Sequence, residues 1–187
     1  MEFRDFGVAW CVPMDETLFS TWFSNWTQLR HLPWDEMYFT SATYLPEARN
    51  TIHNRYLEKS PCKWMVMLDS DVMPPLDFLD RLLKHKKPMV GGWYRMKLPG
   101  RAPVVYDVID GRIVHKEKPG TGLEAVDVAG AGCWLMHRTV AEAIGQSPYD
   151  MKDGGEDLAL CRKVHEAGFE TFIDWSVECL HLGVGPV

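Results

Sequence analysis

Three places in this chain hold side chains suited to chemistry. Asp69 and Asp71 flank Ser70 at the end of the apolar run Trp64-Met65-Val66-Met67-Leu68, Glu156 and Asp157 are neighbours, and His181 stands near the C-terminus. If the backbone is still extended at Asp69-Ser70-Asp71, the two carboxylates point to the same side, because side chains in a strand alternate with a period of two. Two carboxylates converging on one spot repel unless a cation sits between or beside them, and their hard oxygens suit Mg²⁺ or Mn²⁺. Such a cation, held by Asp71 and His181, would clamp a diphosphate and stabilise the charge that develops as it leaves. A separate carboxylate, ionised at working pH, would take the proton from an attacking hydroxyl. Glu156 and Asp157 suit that task, since they open a predicted helix whose dipole favours the ionised form. Each feature also has a structural explanation. Asp71 or Ser70 can start a turn, acids steady a helix's first turn, and a histidine can be buried and bonded to backbone.

The elements that must position these groups alternate between strand and helix. Residues 6–12 form a short, nearly all-apolar run ended by Pro13, a first buried strand. Leu18, Phe19, Trp22, Phe23, Trp26 and Leu29 recur at three- and four-residue steps and predict a helix from Asp15 or Thr17. A second strand is expected over 37–43. Pro46 then suits the first position of a helix running to about Glu58, with Ala48, Ile52, Tyr56 and Leu57 on its apolar side. Arg49 and Asn50 fall near its N-terminal end, where an arginine either binds an anion or is simply solvated.

The run from Lys63 to Asp71 is a strand apolar enough to be buried on both faces. In open α/β sheets the ligand crevice lies at the carboxyl ends of such strands. A helix over 75–85 carries early acids and a late Lys84-His85-Lys86-Lys87 cluster, as the dipole favours. Residues 88–94 predict another strand, and Asp110-Gly111 between two β-prone runs signals a hairpin. The glycine-rich stretch 116–122 reads as a loop or lid without phosphate-binding spacing. A strand over 124–136 is interrupted by Ala129-Gly130-Ala131-Gly132, where something packs against the backbone, and a short helix follows over 139–144. Leu158, Cys161 and Val164 stripe a further helix that stops at Gly168, and 170–175 is a last strand. Strands alternating with helices predict a three-layer α/β domain spanning 1–187, with no second-domain boundary.

Composition narrows the functional classes. With 46% apolar and 25% charged residues in 187, a full core is expected and disorder is not. A net charge of −6 argues against a broad nucleic-acid-binding face. Cys11, Cys62, Cys133, Cys161 and Cys179 are scattered and show no C-x-x-C pair, which predicts buried free thiols in a reducing compartment. With no signal pattern and no apolar run long enough to span a bilayer, a cytoplasmic location is expected.

Taken in order, Ala48-Arg49-Asn50, the strand ending in Asp69-Ser70-Asp71, Gly130-Ala131-Gly132-Cys133-Trp134-Leu135, Glu156-Asp157 with Leu160-Cys161-Arg162, Gly168-Phe169 and His181-Leu182-Gly183 resemble a GT-A glycosyltransferase of the family 2 type. The resemblance implies a three-layer α/β/α fold with a mostly parallel central sheet. It also implies a metal-dependent transfer of sugar from a nucleotide-diphosphate donor, UDP- or GDP-linked, to a hydroxyl acceptor: a glycan, a small molecule or a macromolecule. The donor would lie beside the first strand, contacted by Pro13, Arg49, Asp69 and Asp71. Asp71 would ligate Mn²⁺ or Mg²⁺ directly, Asp69 would face the ribose or the metal shell, and His181 would complete the metal site. Asp157 matches the base of inverting members, with Glu156 as neighbour or substitute.

The chain is compact for that family and ends soon after His181, so no appended acceptor domain or membrane segment is expected. It also lacks the Gln-x-x-Arg-Trp element of processive synthases, which favours single transfer. Two alternatives remain open at this level. A sugar-phosphate nucleotidyltransferase shares the layout, but Pro13-Met14-Asp15 lacks the glycine-rich, arginine-bearing loop of those enzymes. A nucleotide-sugar-binding protein without turnover would keep the same motifs. Trp93 and Trp134 could stack on a sugar, although core packing explains both.

Overall fold

A computed structural model describes residues 7–14, 19–41, 44–97, 102–152 and 154–183. The chain runs β1 (Val8–Met14), α1 (Ser20–Gln28), β2 (Glu36–Ser41), α2 (Leu45–Lys59), β3 (Trp64–Leu68), β4 (Val72–Met73), α3 (Phe78–Lys84) and β5 (Met89–Tyr94). It continues with β6 (Val105–Ile109), β7 (Arg112–His115), β8 (Leu123–Val126), β9 (Val128–Ala129), β10 (Cys133–His137), α4 (Arg138–Ile144), α5 (Glu156–Glu166) and β11 (Thr171–His181). The main sheet has the order β2-β1-β3-β10-β5-β11-β4, with β8 also on β11, and a smaller sheet has the order β7-β6-β9. Strands β2, β1, β3, β5 and β11 share one direction, while β10 runs against β3 and β5 between them.

The apolar runs are continuous because both faces of the sheet are covered. In β1, Val8, Trp10 and Val12 join one buried cluster, and Ala9 and Cys11 join the other; in β3, Trp64, Val66 and Leu68 separate from Met65 and Met67 in the same way. Helix α2 contributes Ile52 and Tyr56 to one cluster, along with Leu160, Cys161 and Val164 of α5. Trp22 of α1 and Phe78, Leu79, Leu82 and Leu83 of α3 complete the other. Trp93 and Trp134 are core residues, and all five cysteines are free and buried. Among the described residues no helix is long and apolar enough to cross a membrane.

Several expected boundaries move, each for a local reason. Pro13 does not end β1: it pairs with Thr40 of β2, beyond Cys11, the last β1 residue paired with β3, where one flank of the strand no longer needs its N–H. Helix α1 starts at Ser20, and residues 15–18 of the expected helix lie outside the described residues, as do 42–43 of the second strand. The expected strand over 124–136 is three strands: β8 pairs with β11, β9 pairs with β6 in the small sheet, and β10 returns to the centre. The hairpin forms as expected, with Asp110 at φ 52° and Gly111 at φ 75°, both positive as a two-residue I′ turn requires. The last strand is longer than 170–175. After a bulge between Ile173 and Glu178, β11 continues beside Trp93 and Tyr94 and then pairs with β4, which carries His181 to Val72.

Candidate functional site

The end of β3 is a turn, not extended strand. The Asp69 N–H donates to the Gly132 carbonyl at 3.0 Å, and the Val72 N–H donates back to the Asp69 carbonyl at 3.1 Å, closing a four-residue turn through Ser70 and Asp71. The Trp22 indole N–H locks it from below, reaching the carbonyls of Asp69 at 2.9 Å and Val72 at 3.0 Å. Asp69 and Asp71 therefore do not share a side, contrary to the extended-strand expectation. Asp69 turns inward to α2 and α5, and Asp71 turns outward to β11.

Arg49 is the centre of the inward group. Pro46 in the first turn of α2 and the buried face Ala48, Ile52 and Tyr56 set this helix against the sheet, and Arg49 is itself only 2% exposed. Its Nη2 donates to Asp69 Oδ2 at 2.6 Å, and its Nη1 to Glu156 Oε1 at 2.9 Å and Asp157 Oδ1 at 3.2 Å. The expected open anion site at Arg49 is thus filled by the chain's own carboxylates. Asn50 is committed too: its amide bonds the Tyr149 carbonyl at 2.6 Å and receives the Tyr149 N–H at 2.9 Å, pinning the segment that leads into α5.

One guanidinium faces three carboxylates, an excess of negative charge in a poorly solvated place. Burial is the main cause that pushes Asp157 up to about 6. Glu156 and Asp69 add to it, while Arg49 and the Ala131 N–H, 3.0 Å from Oδ1, oppose it. Its side chain keeps 28% exposure, so water tempers the effect. Burial likewise raises Asp69, helped by Asp71 and opposed by Arg49 and His181, and its Oδ1 has no hydrogen-bond partner. Burial alone would lower Arg49, but Asp69 and Asp157 outweigh it and hold the guanidinium charged.

The outward group is Asp71, His181 and Lys97. The Leu182 N–H donates to the Asp71 carbonyl at 2.7 Å, clipping the end of β11 to the turn. His181 Nδ1 lies 2.9 Å from the Arg95 carbonyl, which accepts its proton, so Nε2 is the ring nitrogen turned to Asp71 Oδ2 at 3.6 Å. A backbone carbonyl fixing one imidazole nitrogen is how a histidine is oriented for a metal at the other. Lys97 Nζ also reaches Asp71 Oδ2, at 2.6 Å. Burial pushes the Asp71 carboxyl up, but the contacts with His181 and Lys97 outweigh it and hold it below the usual carboxylate range.

Among the described residues no group of three or more His, Cys, Asp or Glu side chains is arranged to hold a metal ion. Asp69, expected beside Asp71 and His181, belongs to Arg49. The remaining carboxylate and imidazole fit a divalent cation of the kind that takes one or two protein ligands and draws the rest from substrate phosphates. Pro13 lies in β1, buried within the sheet.

Sequence reasoning missed Lys97, an isolated lysine with no motif around it, and Tyr94, hidden inside a predicted strand. The Tyr94 hydroxyl accepts the Gly132 N–H at 3.0 Å, and its ring lies 4.8 Å from that of His181, linking the two groups. The small-residue run did signal this contact. A Cβ on Gly132 would sit 2.9 Å from Asp69 Oδ2 and 3.0 Å from the Tyr94 oxygen.

No family model matches the chain, and no curated protein matches it in sequence. Among solved structures, the crystal structure of A197 from STIV superposes with a TM-score of 0.72 at 18% identity, covering 95% of this chain and 86% of that one. The crystal structure of GalNAc-T7 with UDP, GalNAc and Mn²⁺ superposes with a TM-score of 0.59 at 9% identity, covering 95% of this chain. The chain spans 44% of the length of GalNAc-T7. At these identities the likeness concerns architecture: the chain has a mixed α/β fold with a mostly parallel central sheet, compatible with that of the GalNAc-T7 structure.

Proposed function

We propose that this chain is a glycosyltransferase of the three-layer GT-A type, transferring a sugar from a UDP- or GDP-linked donor to a hydroxyl acceptor with inversion. The observation that carries the reading is the Arg49 cluster. It draws the carboxylate at the end of β3 and the Glu156-Asp157 pair at the start of α5 into one site, with Asp71 and His181 across the turn. The UDP and Mn²⁺ in the GalNAc-T7 structure support the same assignment.

In this reading Asp71 and His181 hold the cation, which when bound supplies charge neutralisation to the leaving diphosphate. Asp157 is the base that accepts the acceptor's proton. Its pushed-up carboxyl makes it a better proton acceptor than an ordinary aspartate while leaving it mostly ionised near neutral pH. Arg49 and the Ala131 N–H hold Asp157 through one oxygen, Oδ1, and fix its direction. Glu156 and Asp69 are positioning residues. Asp69 has a buried, unpartnered Oδ1 that a ribose hydroxyl would satisfy.

The test is thermal stability with UDP and with GDP, each with and without Mn²⁺. A nucleotide at about 100 times its dissociation constant adds ~2.7 kcal/mol. Metal-dependent stabilisation by either nucleotide is the expected result, and none by both would remove the donor assignment. A second reading, nucleotide-sugar binding without turnover, draws on the ion pair that engages Asp157 with Arg49. Nucleotide-dependent stabilisation with no donor hydrolysis and no transfer to any sugar hydroxyl would favour it.

A further inference from the structure

Asp71 meets a lysine as well as His181, and what this contact does rests on the metal-dependent reading above. Lys97 Nζ at 2.6 Å and His181 Nε2 at 3.6 Å converge on a single oxygen, Asp71 Oδ2. Lys97 is seated rather than merely solvated. Its stem runs beside Gly183, where an added Cβ would lie 3.3 Å from Lys97 Cβ, 3.5 Å from Cγ and 3.6 Å from Cδ. Two residues earlier, the Arg95 carbonyl orients His181. One short segment after β5, residues 95–97, thus aims the imidazole and neutralises the carboxylate.

An ammonium and a divalent cation on one oxygen would lie within about 4 Å of each other, where they repel even in bulk water. We propose that Lys97 is a built-in competitor for the divalent cation: its ammonium caps Asp71 in the donor-free chain and leaves that oxygen when Asp71 and His181 take a metal. Its side chain is 49% exposed, which leaves it room to swing. A diphosphate arriving with the metal offers the displaced ammonium a new anionic partner, so nucleotide and metal reinforce each other's binding. The cap keeps the carboxylate from binding adventitious cations and makes metal uptake conditional on the donor.

Binding of Mn²⁺ to the whole chain, followed by the loss of the free-ion electron paramagnetic resonance signal, tests this with and without UDP or GDP. Lys97→Met is expected to bind Mn²⁺ alone about tenfold more tightly than wild type, and to gain less from added nucleotide. Lys97→Arg, which keeps the charge, should stay as weak as wild type, and Asp71→Asn should bind least. Equal or weaker Mn²⁺ binding by Lys97→Met, together with loss in Asp71→Asn, would overturn the Lys97 proposal while leaving the metal site standing. No Mn²⁺ binding by wild type or Lys97→Met under any condition, or full binding by Asp71→Asn, would overturn both.

Discussion

Asp69 and Asp71 are two residues apart, yet they belong to regions with opposite physics. In the Arg49 cluster the guanidinium is buried among three carboxylates that are 13%, 19% and 28% exposed, and every member holds another in place. The Asp71 group has side chains 25%, 18% and 49% exposed for Asp71, His181 and Lys97, with pairs that water can replace. The difference lies in the cations: an arginine 2% exposed among three carboxylates costs too much to displace during turnover, whereas a lysine 49% exposed can leave its carboxylate for another cation. A short acidic motif can therefore carry one structural and one exchangeable acid when a turn separates them.

The largest break in this contrast should come from Arg49→Met. It leaves Asp69, Glu156 and Asp157 without their cation and should cost about 3–5 kcal/mol in urea unfolding, a large part of a typical domain's stability. Arg49→Lys should fall between, since an ammonium cannot span three carboxylates as a planar fork does. On the other side of the turn, Asp71→Asn should change unfolding by less than about 1 kcal/mol yet abolish the ~2.7 kcal/mol of Mn²⁺-dependent nucleotide stabilisation. If both variants lose stability equally, the two regions are not distinct. Gly132→Ala should cost about 1–3 kcal/mol by overpacking against Asp69, Val72 and Tyr94, and should perturb both regions at once.

A smaller effect concerns pH. Asp157 binds its proton more tightly folded than unfolded, so the folded state holds more protons between its ordinary range and about 6. The slope of stability with pH is then negative: the contribution is present at low pH and lost as pH rises through about 6. Measured against Asp157→Asn, wild type should lose up to about 2 kcal/mol between pH 4 and 7. Transfer should run the other way, rising through about 6 as the base ionises. A flat difference between the two proteins would show that Asp157 titrates normally.

Much of the architecture was legible because burial on both faces leaves a plain signature. The runs at Trp64–Leu68 and Met89–Tyr94, the helix behind Pro46 and the Asp110-Gly111 hairpin follow from local pattern alone. The extension of β11 was also legible in part: Val177 and Cys179 are buried while Glu178 and Leu180 are exposed, an alternation present in residue type only at the first three. What local pattern could not supply was direction. Whether Asp69 and Asp71 share a side depends on Gly132 and Trp22, 63 and 47 positions away from Asp69, which close the turn. Arg49 was visible as a candidate, but the carboxylates at Glu156 and Asp157 that fill its guanidinium are more than 100 residues distant.

The most direct measurement is a crystal soaked with Mn²⁺ and UDP or GDP, with anomalous scattering locating the metal. The expected result is an anomalous peak bonded to Asp71 and His181 Nε2, a diphosphate completing its coordination, Lys97 off Asp71, and Arg49 still joining Asp69, Glu156 and Asp157. A nucleotide bound with the metal on Asp69 and the Arg49 cluster opened, or Lys97 still on Asp71 with no metal there, would contradict it.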